Sequence, residues 1–201
     1  MPEFSLTELI ALAAALGFAS GVRLYAVILI VGLAGYAGGV DLPGGLAALA
    51  QPWVIGVATL LFVSEFLADK IPALDSVWDA VSTFIRIPGG ALLAASVFGI
   101  DQAGLAAIAA LAGGALAATS HAAKAGARAA INTSPEPVSN AVASSAEDLG
   151  IAGLLWLAFS HPLLALVAVA LATLACAWLI FKFAGLLRRW LGPRPPSPPS
   201  S

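Results

Sequence analysis

Apolar residues come in long runs along this chain, separated by short polar clusters. The first run covers residues 6–40, far more than the about 20 residues that cross a bilayer core. Arg23 interrupts it near the middle, beside Ser20 and Gly21. Two readings fit: a pair of short helices, 6–22 and 24–40, broken near Gly21, or one long tilted helix with Arg23 turned toward protein. Asp41-Leu-Pro-Gly-Gly45 predicts a loop. Residues 52–69 predict a second span, with Pro52 suited to a first helical turn and Trp53 to a membrane interface. Lys70-Ile-Pro72 ends it.

Residues 73–87 follow a different pattern. Leu74, Val77, Trp78, Val81 and Ile85 recur at helical spacing, and Asp75, Asp79, Ser82 and Arg86 fall on the opposite face. Acid early and arginine late suits the helix dipole. The pattern predicts an amphipathic helix of about four turns that lies at the interface or re-enters a polar cavity. Pro88-Gly-Gly90 predicts the start of a separate half-span ending near Ile100, and Asp101-Gln102 a break. Residues 103–132 predict a long Ala-rich helix whose second half carries His121, Lys124 and Arg128. After the 133–137 break, residues 138–149 predict a short polar-tinged helix and 150–159 a second half-span. Ser160-His161-Pro162 reads as an interfacial turn before the last span, 163–187. The remaining 193–201 segment is Pro-rich and predicts a disordered tail.

Composition removes whole classes of protein. Of 201 residues, 60% are hydrophobic and 10% charged, and mean hydropathy is +0.97. So few polar groups could not cover a soluble domain, and a net charge of -2 with no basic patch excludes a nucleic-acid binder. The fold expected is all-α: a polytopic transmembrane helical bundle forming one domain over residues 1–192, with the lipid bilayer as its main partner. Lys182, Arg188, Arg189 and Arg194 place the C-terminus in the cytoplasm by the positive-inside rule. No Lys or Arg precedes Arg23, so the N-terminus lacks a signal-peptide pattern and is expected to be retained. The lone Cys176 excludes an intramolecular disulfide and reads as a buried small hydrophobe.

Two stretches, about 50–100 and 103–187, share one order of elements: span, Pro break, polar helix, half-span, break, span. An offset of 63 residues aligns Pro72 with Pro135, Ser76 with Ser139, Ala80 with Ala143, Ser82 with Ser145, Gly90 with Gly153 and Leu92 with Leu155. Interrupted repeats are a recurring transporter architecture, and the sense of this one, inverted or parallel, stays open in the sequence. The small-residue segment 113–126 suits close helix packing, within one chain or between copies in a homo-oligomer.

Charges inside apolar spans face protein or water. Glu65 and Asp69 are four apart on one helix face, as are Asp75 and Asp79; His121, Lys124, Arg128 and Asn132 form one stripe. Pairing of Glu65 or Asp69 with Lys124 or Arg128 is therefore expected. With carboxylates nearby, His121 fits a hydrated cation site or proton relay, whereas the basic stripe with Arg23 fits an anion or lipid phosphate. No nucleophile triad, phosphate loop or metalloprotease motif is present, so the reading is not an enzyme and calls for no cofactor.

The stretch Leu67-Ala-Asp-Lys-Ile-Pro-Ala-Leu-Asp-Ser-Val-Trp-Asp-Ala80, continuing to Phe84-Ile-Arg86, resembles the bacterial membrane family called domain of unknown function 4126. So does His121-Ala-Ala-Lys-Ala-Gly-Ala-Arg-Ala-Ala-Ile-Asn-Thr-Ser-Pro-Glu-Pro137, with Ser139-Asn140 and Glu147-Asp148 after it. The resemblance implies a multi-pass membrane protein and adds weight to Asp69, Lys70, Asp75, Trp78, Asp79, His121, Lys124, Arg128, Asn132, Ser134, Pro135 and Glu136 as functional positions.

Together these readings predict an inner-membrane transporter or channel for a small ion or solute. Its polar pathway would be built around the Pro72 and Pro135 breaks from Glu65, Asp69, Lys70, Asp75, Trp78, Asp79, Arg86, His121, Lys124, Arg128, Asn132, Ser134, Glu136, Ser139, Asn140, Glu147 and Asp148. The competing expectation is a scaffold that organises lipid or a partner complex and uses the same charges structurally.

Overall fold

A computed structural model describes residues 4–131 and 137–191, without the side chains of 72–73, 75–76, 100, 137–138, 140 and 186–191. The described chain is helical and contains no strand. Its helices are α1 (Leu6–Tyr36), α2 (Pro52–Ala68), α3 (Pro72–Ser96), α4 (Ala103–Ile131), α5 (Pro137–Ser160) and α6 (Pro162–Leu191), with 3-10 turns at Gly44–Ala50 and Ile100–Gln102. Four of them are long and apolar enough to cross a membrane: α1, α4, α5 over Ala141–Ser160 and α6 over Pro162–Gly185. Large apolar side chains such as Phe84, Leu111, Leu174 and Phe181 point outward. In water such a surface would aggregate, but in lipid it is the expected one. This is a multi-pass membrane protein.

Helix α1 is the hub and packs against every other α-helix. Ser5 caps it, accepting a hydrogen bond from the Glu8 amide while the Glu8 carboxylate accepts one from the Ser5 amide. At Arg23 the backbone leaves helical geometry (φ −150°, ψ 82°), which divides α1 into arms 6–22 and 24–36. A straight helix of this length would span about 46 Å. Yet Phe4 and Leu9 line one cavity of about 570 Å³ together with Asp41, Leu42, Pro43 and Gly44. Leu42 also packs on Gly35 at the end of the second arm, so the two ends of α1 lie on the same side and α1 is folded back with Arg23 at its apex. Both expectations for residues 6–40 hold in part: the helix is broken in two, the break falls on Arg23 rather than Gly21, and Arg23 faces protein.

The first arm packs on α4 through backbone contact. A Cβ placed on Gly17 would lie 2.6 Å from the Gly113 Cα, and one on Gly90 would lie 2.7 Å from the Ala117 Cβ and 3.2 Å from the Gly17 carbonyl oxygen. The small-residue segment 113–126 is thus used within the chain, its last member, Gly126, packing on Phe183. Gly44 has positive φ (+55°), and a side chain there would strike the backbone of Ser96 and Val97.

Several sequence expectations are corrected. Residues 73–87 and 88–100 are not an interfacial helix followed by a half-span. They form one helix, α3, which runs through Pro88. Proline removes one backbone hydrogen bond, but Gly89 and Gly90 immediately after it allow close packing on Leu24 and Ala117. Residues 138–149 and 150–159 likewise join as α5, because Gly150 alone costs a helix only about 1 kcal/mol. The predicted second span becomes the 17-residue α2, bent by 74° from the 3-10 turn before it; the pair would count as a fifth crossing only if taken together. Cys176 is half-buried rather than buried, since α6 touches the bundle along only one face. The 133–136 break and the 193–201 tail lie outside the described residues.

Helix α3 is amphipathic with its polar side inward. Asp79, Ser82 and Arg86 are buried, while Val77, Val81 and Phe84 are 59–82% exposed. This fits the cavity-facing alternative, not a polar face turned to water. Helix α3 runs antiparallel to α4, with Gly90 against Ala117 and Ala94 against Gly113.

The glycine seam gives a direct prediction. Gly17→Leu should lower the thermal unfolding midpoint in detergent by several degrees, because the arm cannot approach α4. Gly56→Leu, where a side chain meets nothing within 4 Å, should leave it unchanged. Equal midpoints would show that the seam is not close-packed.

Candidate functional site

The buried charges converge on the apex of α1. Breaking a helix frees the carbonyls of its last turn, and α4 supplies donors to this one. Ser120 Oγ donates to the Phe18 carbonyl at 2.7 Å, and Lys124 Nζ donates to the Val22 carbonyl at 3.0 Å. The acceptors and the donors are each four residues apart, so parallel helices bring them into register. A cation at a helix C-terminus is also favourable for the dipole.

Arg23 is fully buried and its guanidinium reaches partners from both α2 and α5. One Nη donates to Asp69 Oδ2 at the end of α2 and to Ser144 Oγ on α5. Ser144 passes its own proton toward the same Asp69 oxygen at 3.0 Å. The Arg23 Nε lies 2.9 Å from Asp148 Oδ1 and 3.4 Å from Glu147 Oε2.

A second guanidinium organises the neighbouring layer. Arg86 Nη2 contacts Glu65 Oε1 at 2.5 Å, and its Nη1 donates to Asp79 Oδ1 at 2.8 Å. Nη1 also lies 3.2 Å from His121 Nδ1. Arginine only donates, so with this contact as a hydrogen bond Nδ1 accepts and the ring proton is assigned to Nε2. There it faces Thr83 Oγ1 at 2.6 Å, which donates onward to the Asp79 carbonyl. His121 is therefore held as a neutral imidazole.

Lys124 and Arg128 link the two layers. Lys124 Nζ lies 3.2 Å from Glu147, 3.6 Å from Glu65 and 3.8 Å from Asp79. Arg128 makes two contacts of 3.1 Å to the two oxygens of Glu147 and approaches Asp69 at 3.6 Å. The expected pairs of Glu65 or Asp69 with Lys124 or Arg128 are present. They are longer than the pairs to Arg86 and Arg23, which the spacing argument did not assign as partners.

Arg23, Glu65, Asp69 and Arg86 are wholly shielded from solvent, and Asp79, Lys124 and Arg128 nearly so. The cluster opens toward Glu147 and Asp148, whose side chains are 18% and 25% exposed. Glu147 also lines a groove of about 440 Å³ with Phe18, Val22, Leu154 and Ala168. Several shielded polar atoms have no hydrogen-bond partner: Arg23 Nη1, Glu65 Oε2, Asp69 Oδ1, Asp79 Oδ2, Arg86 Nε and Trp78 Nε1. Groups of this kind are normally satisfied by protein or ordered water. Among the described residues, no three His, Cys, Asp or Glu side chains converge to hold a metal ion.

Other predicted site residues stand apart. The Lys70 ammonium lies 3.6 Å from the Phe66 ring centroid. Ser139 is half-buried near the start of α5. Asn132, Ser134 and Glu136, together with the side chains of Asp75 and Asn140, lie outside the described residues. Ser144 is not legible from spacing, since no pattern separates it from Ser139 or Ser145. Arg23, the sole charge between Glu8 and Asp41, is expected from the sequence to face protein or to bind an anion, and its carboxylate partners are not assigned there.

A family model described as Domain of unknown function (DUF4126) matches residues 10–182. The chain belongs to the DUF4126 family. The matched range holds every member of the charged cluster, so the cluster lies inside the part that DUF4126 proteins share. No curated protein and no solved structure matches the chain.

Removing one member of a buried pair leaves an uncompensated charge, at a cost of about 3–5 kcal/mol. Arg86→Gln and Glu65→Gln should each destabilise by that amount in denaturant titrations of the micellar protein. The double variant should lose less than the sum. Strict additivity would show that the two groups do not interact.

Proposed function

We propose that this DUF4126 protein is a membrane transporter or channel for a small ion or solute, with its polar pathway running through the charged cluster. One observation carries the reading: a helix broken inside an apolar bundle, whose break holds a shielded Arg23 among ionisable groups from α2, α4 and α5. Replacing buried ion pairs with packed hydrophobic groups is often neutral or stabilising, so their presence calls for a role beyond stability. Broken helices with exposed backbone groups supply ligands in many transporters. Unpartnered atoms such as Asp69 Oδ1 and Arg23 Nη1 leave hydrogen-bonding capacity for a passing ligand.

The closure of Arg23, Glu65, Asp69 and Arg86 favours a second reading, a scaffold whose charges lock the bundle. In the transport reading, this closed arrangement is one state of a cycle, and Glu147 and Asp148 mark the side that opens. The proposed location is the bacterial inner membrane with a cytoplasmic C-terminus, supported by Lys182, Arg188, Arg189 and Arg194.

The test is flux into proteoliposomes, screened over small cations and anions, with Asp79→Asn and Arg128→Gln as variants. Transport reads as flux in the native protein that falls severalfold in both. Flux unchanged in both would remove the cluster from the pathway, and no flux for any solute would favour the scaffold.

A further inference from the structure

The cluster's charges do not balance. Four cations (Arg23, Arg86, Lys124 and Arg128) face five carboxylates (Glu65, Asp69, Asp79, Glu147 and Asp148) among the described side chains. His121 adds no positive charge, because its Nδ1 accepts from Arg86. With every carboxylate ionised, these described groups carry one more negative than positive charge at a largely shielded site. A buried group in that position takes up a proton instead of remaining charged.

The donors decide which carboxylate is in excess. Glu65 and Asp79 share the two Nη groups of Arg86 at 2.5 and 2.8 Å. Asp69 takes an Nη of Arg23 and the hydroxyl of Ser144. Glu147 has both oxygens bonded by Arg128, with Lys124 at 3.2 Å. Asp148 has the weakest claim. Its only described cation is the Arg23 Nε at 2.9 Å, a contact too poorly aligned to be a hydrogen bond. That same Nε is shared with Glu147.

The surroundings of Asp148 agree. Arg23 faces it from α1, with Glu65 and Asp69 of α2 behind Arg23. Arg128 and Lys124 of α4 are taken by Glu147, its neighbour on α5. Asp79 and Arg86 of α3 form the layer beyond Glu65, and the α6 residues of the adjoining groove, Ala168 and Ala172, carry no charge. Asp148 is also the most exposed of the five carboxylates, so a proton can reach it without opening the Arg86 layer.

Resting on the transport reading above, we infer that the coupling ion is a proton, bound by the Asp148 carboxylate to give the neutral acid. Binding releases Asp148 from Arg23, and loss of the proton restores the ion pair. Because Arg23 is the apex of the folded-back helix, proton exchange at Asp148 changes the hold of α5 on both arms of α1.

Infrared spectroscopy of the full chain in lipid vesicles tests this. The protein should show a carboxylic-acid C=O band that disappears as pH is raised, and uniform ¹³C-aspartate labelling should shift it. Asp148→Asn should abolish it, and Asp41→Asn, on an exposed loop, should not. If Asp148→Asn fails to fold, Asp148→Glu should keep a band that no longer responds to the aspartate label. No band, a band insensitive to the label in the native protein, or one that survives Asp148→Asn would each overturn the inference. An Asp148-dependent band without flux would support the proton site and remove the transport reading. Flux without the band would do the reverse.

Discussion

A single guanidinium in a helix break holds this fold together. Arg23 has no access to solvent, and its own backbone is the one non-helical residue inside α1. Taking a cation out of water costs several kcal/mol unless partners surround it. The partners come from two other elements: Asp69 at the end of α2, and Ser144, Glu147 and Asp148 on α5. The side chain that is expensive to bury thereby fixes where α2 ends and where α5 must lie. Lys124 of α4 completes the arrangement by capping the carbonyl immediately before the break.

Small residues make that convergence sterically feasible. The first arm of α1 meets α4 at Gly17 and Gly113 and meets α3 at Gly90, so three backbones approach closely just above the charged layer. Hydrophobic burial gives little drive to helix association in lipid, whereas close packing and polar contacts do. The chain accordingly separates its two means of cohesion along α1. Glycine and alanine pack the second half of the first arm, and ion pairs gather at the break that ends it. The outward apolar face of α3, with Phe84 and Val77 exposed and Arg86 and Asp79 inside, follows the same rule.

Much of this was legible in the chain, for definite reasons. Long apolar runs can only be membrane helices at this composition, and charges spaced by three and four on α2, α3 and α4 had to share faces. The stripe His121, Lys124, Arg128 is indeed buried as one surface. Partner choice was not legible. Helical spacing shows which side chains share a face, but it does not show which guanidinium reaches a given carboxylate. Glu65 and Asp69 therefore went to Lys124 and Arg128 by charge alone, while Arg86 and Arg23 lie nearer. The continuity of α3 through Pro88 was hidden for another reason. Proline-Gly-Gly is a strong local break signal, overridden here by packing against Leu24 and Ala117.

The fold-back of α1 at Arg23 underlies everything above, since a straight helix would carry Arg23 past the cluster's other members and part the two ends. It can be measured directly. Spin labels on cysteines at Leu6 and Asp41, with Cys176 replaced by serine, report the separation of the two ends by pulsed electron resonance in lipid. The folded-back helix predicts a short distance, because Phe4 and Leu9 at one end and Asp41 just beyond the other line one cavity. A distance approaching the about 46 Å of an unbroken helix would contradict the account.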